Sequence, residues 1–390
     1  MKNILLSIFC LYFFTTSLPA SVGAQQATKV GRARIHPSVT VKGCFDDNVY
    51  LNSDNEKSDF INTIYPRIQL DLPFGAGNRH STQIIYSAEI KTFSDYTDEN
   101  SVNQDAGLDF HLNFPKGDFR LENLYRDTST RADTEFTTSI DRIENKSEAL
   151  LEIEMNKLSY GFGYSHFLKD YDKDTYRTLE YEEDIFTLIG YYKLFPKTKL
   201  LLEYNHGEID YDLDSTRKGN YVQIRTGLKG ELTGKTTGTV KVGYQDRDYD
   251  TKGEKDLQSS VAELELSTQF NSDTKLELNY QSTALESTYS TNNFYESDRI
   301  SAQFNQKIGN RLSAITSLAF ENNDYPEETT VGSEAKKRVD DIWTIGLGVE
   351  YSLKDYLKTK LAYEYKNRDS NINSQDYKRN LILLTFTFSL

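Results

Sequence analysis

Cysteine is nearly absent: the 390-residue chain has two, Cys10 and Cys44. Cys10 falls in a leading apolar run that reads as an export signal, so Cys44 stands alone in the mature chain and no intramolecular disulfide is expected. An exported protein of this size without disulfides is not an extracellular disulfide scaffold. Metal-type Cys/His spacings, glycine-rich phosphate loops and a nucleophile elbow are missing too. Proline is scarce, at 7, and Trp occurs once, against 27 Tyr and 21 Phe. Few prolines leave hydrogen-bond ladders uninterrupted, and Tyr, Phe and Thr favour strands. Positive charge is in deficit, with 45 Lys and Arg against 59 Asp and Glu and a net charge of −14. That is the wrong sign for a nucleic-acid partner, whose affinity rests on neutralised phosphates. After Gln25 no apolar run approaches the roughly 17–25 residues of a transmembrane helix. Mean hydropathy, −0.63, reads as that of a water-soluble chain. One class of membrane protein escapes that test: a transmembrane barrel alternates apolar and polar residues, so its average hydropathy is low.

The N-terminus carries the parts of a signal peptide. Lys2 supplies the positive start, Ile4 to Phe14 the apolar stretch, and Ser21-Val22-Gly23-Ala24 the small residues at the cleavage site. Cleavage after Ala24 divides the chain into a signal peptide (1–24), a flexible periplasmic N-terminus (25–34) and one barrel domain (35–390).

What is present in quantity is a repeated hairpin. Short polar or glycine-containing turns occur at Pro73, Phe114, Met155, Phe195, Leu232, Asn271, Ile308 and Leu353, spaced by about 40 residues, which marks internal repetition. Each lies between segments of period-two alternation, such as Ile64, Ile68, Leu70 and Leu72 against Thr63, Arg67, Gln69 and Asp71. Longer charged connections join the hairpins. The pattern predicts an all-β fold, an up-and-down antiparallel transmembrane barrel of about 18 strands (16–18), with short periplasmic turns and long extracellular loops. A propeller of similar period needs four short strands per repeat, and here there are two long ones. Aromatics near the strand ends predict girdles at both membrane interfaces: Phe74, Phe114, Phe119, Phe195 and Phe270 by the short turns, and Tyr96, Tyr125, Tyr171, Tyr211, Tyr249, Tyr289 and Tyr325 by the long loops.

If one face of each strand meets lipid, the other lines a lumen. That face is expected to carry Arg67, Lys91, Arg225, Lys229, Lys241 and Lys307. Asp109, Glu152, Glu263, Glu265 and Glu350 are expected beside them. Mixed charges suit a hydrated interior, since a Lys or Arg facing mid-bilayer lipid costs about 2–4 kcal/mol. Arg225, Lys229 and Lys241 could form a basic patch, though solvated wall charges are the plainer account. The loops around Arg131 to Asn145 and Asn322 to Asp341 are the longest candidates for an inward plug. No catalytic residue, cofactor or metal is assigned. Acidic loop runs at Asp46-Asp47, Asp170/Asp172/Asp174, Glu182-Glu183-Asp184 and Asp246/Asp248/Asp250 are the places where Ca²⁺ or Mg²⁺ could bind, but none has EF-hand spacing. His206 near Glu208 and Asp210 is the one rim constellation to consider for an enzyme, and it lacks a nucleophile partner.

The stretch Cys44 to Gly75 contains Asp47-Asn48-Val49-Tyr50-Leu51, then Lys57-Ser58-Asp59-Phe60-Ile61 and an alternating strand. It resembles the porin-like outer-membrane β-barrels that accompany bacterial exopolysaccharide assembly genes. The resemblance implies an outer-membrane location and a role in polysaccharide export, with export components as partners. The last strand resembles the targeting signal read by barrel-insertion machinery, with Phe386 and Phe388 in place but Leu390 rather than Phe at the end. The expectation is a non-enzymatic channel in contact with lipid and lipopolysaccharide, exporting exopolysaccharide. A general porin for small hydrophilic solutes is the alternative, followed by a non-conducting display barrel and, last, an outer-membrane hydrolase.

Overall fold

The structure, a computed structural model, describes residues 28–131, 135–251, 256–289, 291–331 and 334–389. The expected signal peptide lies outside the described residues. A short strand β1 (Thr28–Val30) precedes the first long ones: β2 (Ala33–Asp46), β3 (Asp59–Phe74), β4 (His80–Phe93), β5 (Ser101–Phe114) and β6 (Gly117–Thr128). Next come β7 (Arg142–Met155), β8 (Leu158–Tyr171), β9 (Tyr181–Phe195), β10 (Thr198–Tyr211), β11 (Gly219–Glu231), β12 (Thr236–Tyr249) and β13 (Leu257–Gln269). The chain ends with β14 (Thr274–Glu286), β15 (Phe294–Ile308), β16 (Leu312–Val331), β17 (Glu334–Lys354), β18 (Leu357–Ser370) and β19 (Tyr377–Ser389).

Every neighbour from β2 to β19 pairs antiparallel with the next, and β19 closes on β2 from Leu381↔Asp46 to Ser389↔Ser38. The result is a closed 18-stranded barrel, the architecture expected from the alternation. Closure pairs the backbone groups that a membrane would otherwise leave unsatisfied. The eight short turns fall where the repeat places them, all at the end where β2 begins and β19 finishes.

Two features depart from expectation. The segment 25–34, expected to be flexible, forms a hairpin over its described part: Val30 pairs with Ala33 and Thr28 with Ile35 around Gly31, whose φ of 64° suits glycine. This hairpin continues along β2 beyond the point where β19 ends. The second departure concerns Asn322 to Asp341, expected to be a loop. It belongs almost wholly to β16 and β17, whose ladder reaches Val331↔Glu334, so it is strand and not loop.

The alternation sorts side chains by solvent. On β17 Trp343, Ile345, Leu347, Val349 and Tyr351 are exposed on the outer face; on β12 Val240 shares that face with the exposed Val242 and Tyr244. Toward the long loops the outer positions turn acidic: Asp341 on β17, Asp246 and Asp248 on β12, Asp298 and Glu296 on β15. The change from apolar to carboxylate marks the upper edge of the lipid-facing band. Trp343, the one Trp, lies near that edge, its ring tilted by 44° against Phe320 at 4.6 Å between centroids. In bilayers its fluorescence should be quenched more by lipids brominated near the headgroup than by lipids brominated near the chain ends. Equal or inverted quenching would contradict this placement.

Candidate functional site

The inner wall is built from the residues that alternate with the lipid-facing ones. The eleven positions expected on it alternate with the apolar outer residues of their strands: Arg67 on β3, Lys91 on β4, Asp109 on β5, Glu152 on β7, Arg225 and Lys229 on β11, Lys241 on β12, Glu263 and Glu265 on β13, Lys307 on β15 and Glu350 on β17. Asp109, Lys307 and the inward Asn279 are exposed, whereas the inward Tyr191, Leu201 and Thr239 are buried, so the lumen nearer the short turns is open beside β5, β14 and β15 and packed beside β9 to β12.

Most wall charges are paired. Lys91 sits 2.8 Å from Glu89, and Lys358 3.5 Å from Glu350. Arg67 donates to Gln69 at 3.1 Å, and Tyr191 donates to Glu152 at 3.1 Å. Lys229 lies over the Tyr191 ring, 5.7 Å from its centroid. Two of the three cations that could have formed a basic patch, Arg225 and Lys241, are matched by carboxylates. Arg225 Nε donates to Glu203 at 2.8 Å and its Nη1 to Glu263 at 3.3 Å, while Lys241 reaches Glu203 at 3.2 Å and Glu263 at 3.3 Å. Two cations and two carboxylates thus interlock across β10 to β13. Glycine permits it: Gly243 pairs with Arg225, and a Cβ there would stand 2.8 Å from Arg225 Cγ. Glu203 was legible as an inward position from its place between Leu202 and Tyr204, yet no local signal marks it as the hub.

At the long-loop end the lumen is crowded. Tyr171, Tyr211 and Tyr325, expected in an outer girdle, are instead buried inside, at 4%, 1% and 0% exposure. Tyr249 also faces inward and stacks on Phe294. Proximity to a loop does not determine the face of a strand; residue parity does, and a shift of one position reverses it. Arginines stack on several of these rings: Arg217 on Tyr211 at 4.6 Å, Arg338 on Tyr325 at 5.1 Å and Arg368 on Tyr377 at 4.7 Å.

Three connections meet across this mouth. Arg131, in the β6–β7 loop, donates to the carbonyl of Val49 in the β2–β3 loop. Glu135 of the same loop accepts from Ser287 Oγ at 2.8 Å and from the Thr288 N–H, tying it to the tip of the β14–β15 hairpin. Of the two candidate plugs, the first reaches across the mouth through Arg131 and Glu135, and it meets a hairpin tip that the sequence did not single out. The Asp47-to-Leu51 and Asp59 motif supplies the anchor. Asn48 bonds to Asn52 and to the Lys378 carbonyl, Asp46 pairs with Arg379, and Asp59 accepts from the backbone N–H groups of Ser94, Asp95 and Tyr96. These residues hold loops in place.

The acidic runs are split between the two faces. Glu183 faces inward and accepts from Tyr221, whereas Asp184 faces outward and accepts from Tyr164, so neighbours in sequence point apart. Among the described residues no group of three or more His, Cys, Asp or Glu is arranged to hold a metal ion. His206 lies on the outer face, 3.4 Å from Glu208, away from the inner wall.

A closed antiparallel barrel with an apolar outer band and a hydrated, charged inner wall is a transmembrane β-barrel of the outer-membrane kind. Residues 23–390 match the family described as "Putative beta-barrel porin 2", and the chain belongs to that family. No functionally curated protein matches the chain. Among solved structures it is similar to the OccK2 (OpdF) protein of Pseudomonas aeruginosa, with 10% identity over 92% of this chain and 98% of that one and a TM-score of 0.49. It is also similar to OpdK of the same organism, solved with vanillate, with 10% identity over 91% and 99% of the two chains and a TM-score of 0.47. The siderophore receptor PirA, again from Pseudomonas aeruginosa, is similar at 12% identity over 93% and 81%, with a TM-score of 0.44.

Proposed function

We propose that the protein is a non-enzymatic outer-membrane channel for small hydrophilic solutes. The observation that carries this reading is the inner wall, polar and open beside β5, β14 and β15, and balanced in charge where its cations interlock with carboxylates. Eighteen strands are enough to enclose an aqueous path. Paired wall charges leave little fixed field to favour one sign of ion, so weak selectivity is the expected behaviour. The loops bridged by Arg131 and Glu135 narrow the mouth, which suits small solutes better than a polymer.

Exopolysaccharide export is the second reading. It is favoured by the resemblance of Cys44 to Gly75 to barrels that accompany polysaccharide assembly, and it requires the bridged loops to part. Single-channel recording in planar bilayers, with and without an acidic exopolysaccharide, tests both. Steady current with a reversal potential near zero in a salt gradient, unchanged by the polymer, is the expected result. Block by the polymer would favour export. A silent bilayer under all conditions would overturn the channel.

A further inference from the structure

The wall is incompletely zipped at one place. β13 pairs with β12 as far as Leu257↔Arg247, but with β14 only from Gln269↔Lys275 to Ala262↔Ser282. Above that pair, Leu257 to Val261 form no ladder with β14, although β14 itself continues to Glu286 and stays paired with β15 up to Glu286↔Phe294. Above Ser282 the β14 side of the hairpin has left the wall, while β15 stays paired with β16 up to Glu296↔Asp324, and the tip beyond turns into the lumen. The direction of its side chains agrees. Leu276, Leu278 and Tyr280 are on the lipid-facing parity of β14; Ala284 and Glu286 share that parity yet make their contacts with inward-facing residues of the wall. Ala284 is buried against Leu257 and Phe294, and Glu286 accepts from the inward Tyr211 at 2.8 Å and from Arg247.

Inside, the tip is held by polar contacts from around the mouth. Arg217 donates to the carbonyls of Ser287 and Asn293, Glu135 accepts from Ser287 and Thr288, Arg338 donates to the Tyr289 hydroxyl at 2.7 Å, and Asn292 bonds to Thr329 at 3.0 Å. Burial opposes the charge on Arg217, but Tyr211, Glu286, Glu135 and Asp214 outweigh it and hold its pKa above the ordinary guanidinium value. The latch is imperfect. Arg217 Nε and Arg247 Nε are buried without a hydrogen-bond partner, a cost borne only while the hairpin is in. Outside, the vacant edge of β13 offers ladder bonds in a register already set by Ala262↔Ser282. Extended by the antiparallel rule, it would join Val261 to Thr283, Ser260 to Ala284 and Gln258 to Glu286.

We propose that the β14–β15 hairpin is a gate with two positions: inserted in the mouth as seen, or zipped onto the upper edge of β13, which clears the lumen. Each position satisfies polar groups that the other leaves open, which is the condition for a bistable element rather than a graded one. The inference rests on the reading of the lumen as a conducting path.

Two engineered disulfides in the full-length barrel, each in a Cys44→Ser background, test it. Ser260 is exposed on the outer face and Ala284 is buried on the inner side, so S260C/A284C can bridge only when the hairpin zips outward. E135C/S287C joins two side chains in contact when it is inserted. Heat-modifiable gel mobility confirms that each variant is folded, and mobility without reductant reads the cross-link independently of current. Both disulfides are expected to form. Conductance should rise severalfold with the S260C/A284C bridge and fall severalfold with the E135C/S287C bridge, each change reversed by reductant. A folded S260C/A284C barrel that does not cross-link under oxidant overturns the gate, as does cross-linking of both pairs with the same current as the reduced protein. Cross-linking of both pairs with no current in any state would overturn the channel reading while leaving the movement of the hairpin established.

Discussion

Replacing Glu203 by alanine is expected to destabilise the barrel by about 3–5 kcal/mol, the usual cost of removing one partner from a buried charge network. Glu203 is 3% exposed, and both of its carboxylate oxygens are engaged, one by Arg225 and Asn205 and the other by Lys241. Without it, two cations on adjacent strands share the single carboxylate of Glu263, whose Oε1 already has no hydrogen-bond partner. The effect should be largely suppressed by the second change Lys241→Met, which removes the surplus charge. Equilibrium unfolding in urea from lipid vesicles measures it. A loss below 1 kcal/mol for Glu203→Ala would mean that water in the lumen screens the cluster and that it contributes as little as a surface pair.

The second large effect concerns which face meets lipid. Leu347→Arg places a charge among Ile345, Val349 and Trp343 on the outer face of β17, and is expected to cost about 2–4 kcal/mol if that face lies at mid-bilayer depth. Ser317→Arg, on the inner face of the neighbouring β16, where Ser317 pairs with Gly346, should shift stability by no more than about 0.5 kcal/mol. The same urea titration compares the two. Equal penalties would mean that the inner wall is dry, and the hydrated lumen would be lost with it. The contrast matters because both substitutions add the same side chain within a few residues of each other, so only the solvent on each face differs.

These two experiments probe the part of the protein that is written locally. Ile64, Ile68 and Leu70 alternating with Thr63, Arg67 and Gln69 determine a strand with one apolar face, because the pleat turns successive side chains to opposite sides. Repetition of such strands between short and long connections determines an up-and-down barrel, and the same parity sets Arg225, Lys241 and Glu263 beside one another. The porin family to which the chain belongs is consistent with that reading.

Tertiary structure decided the mouth. Glu135 and Ser287 are separated by 152 residues and Arg131 and Val49 by 82, and a contact across a lumen leaves no periodic trace in either segment. Tyr171, Tyr211 and Tyr325 read as interface aromatics by position along the chain, but they stack inside because face depends on register, to which nearness to a loop is indifferent. Ala284 and Glu286 keep an outward parity in sequence and yet meet inward-facing wall residues in space, since β14 leaves β13 after Ser282. Alternation by itself therefore determined the wall and its two solvents. Pairing between distant strands, and its interruption at one seam, decided what closes the lumen, because ladder bonds and cross-mouth contacts join residues that no local pattern links.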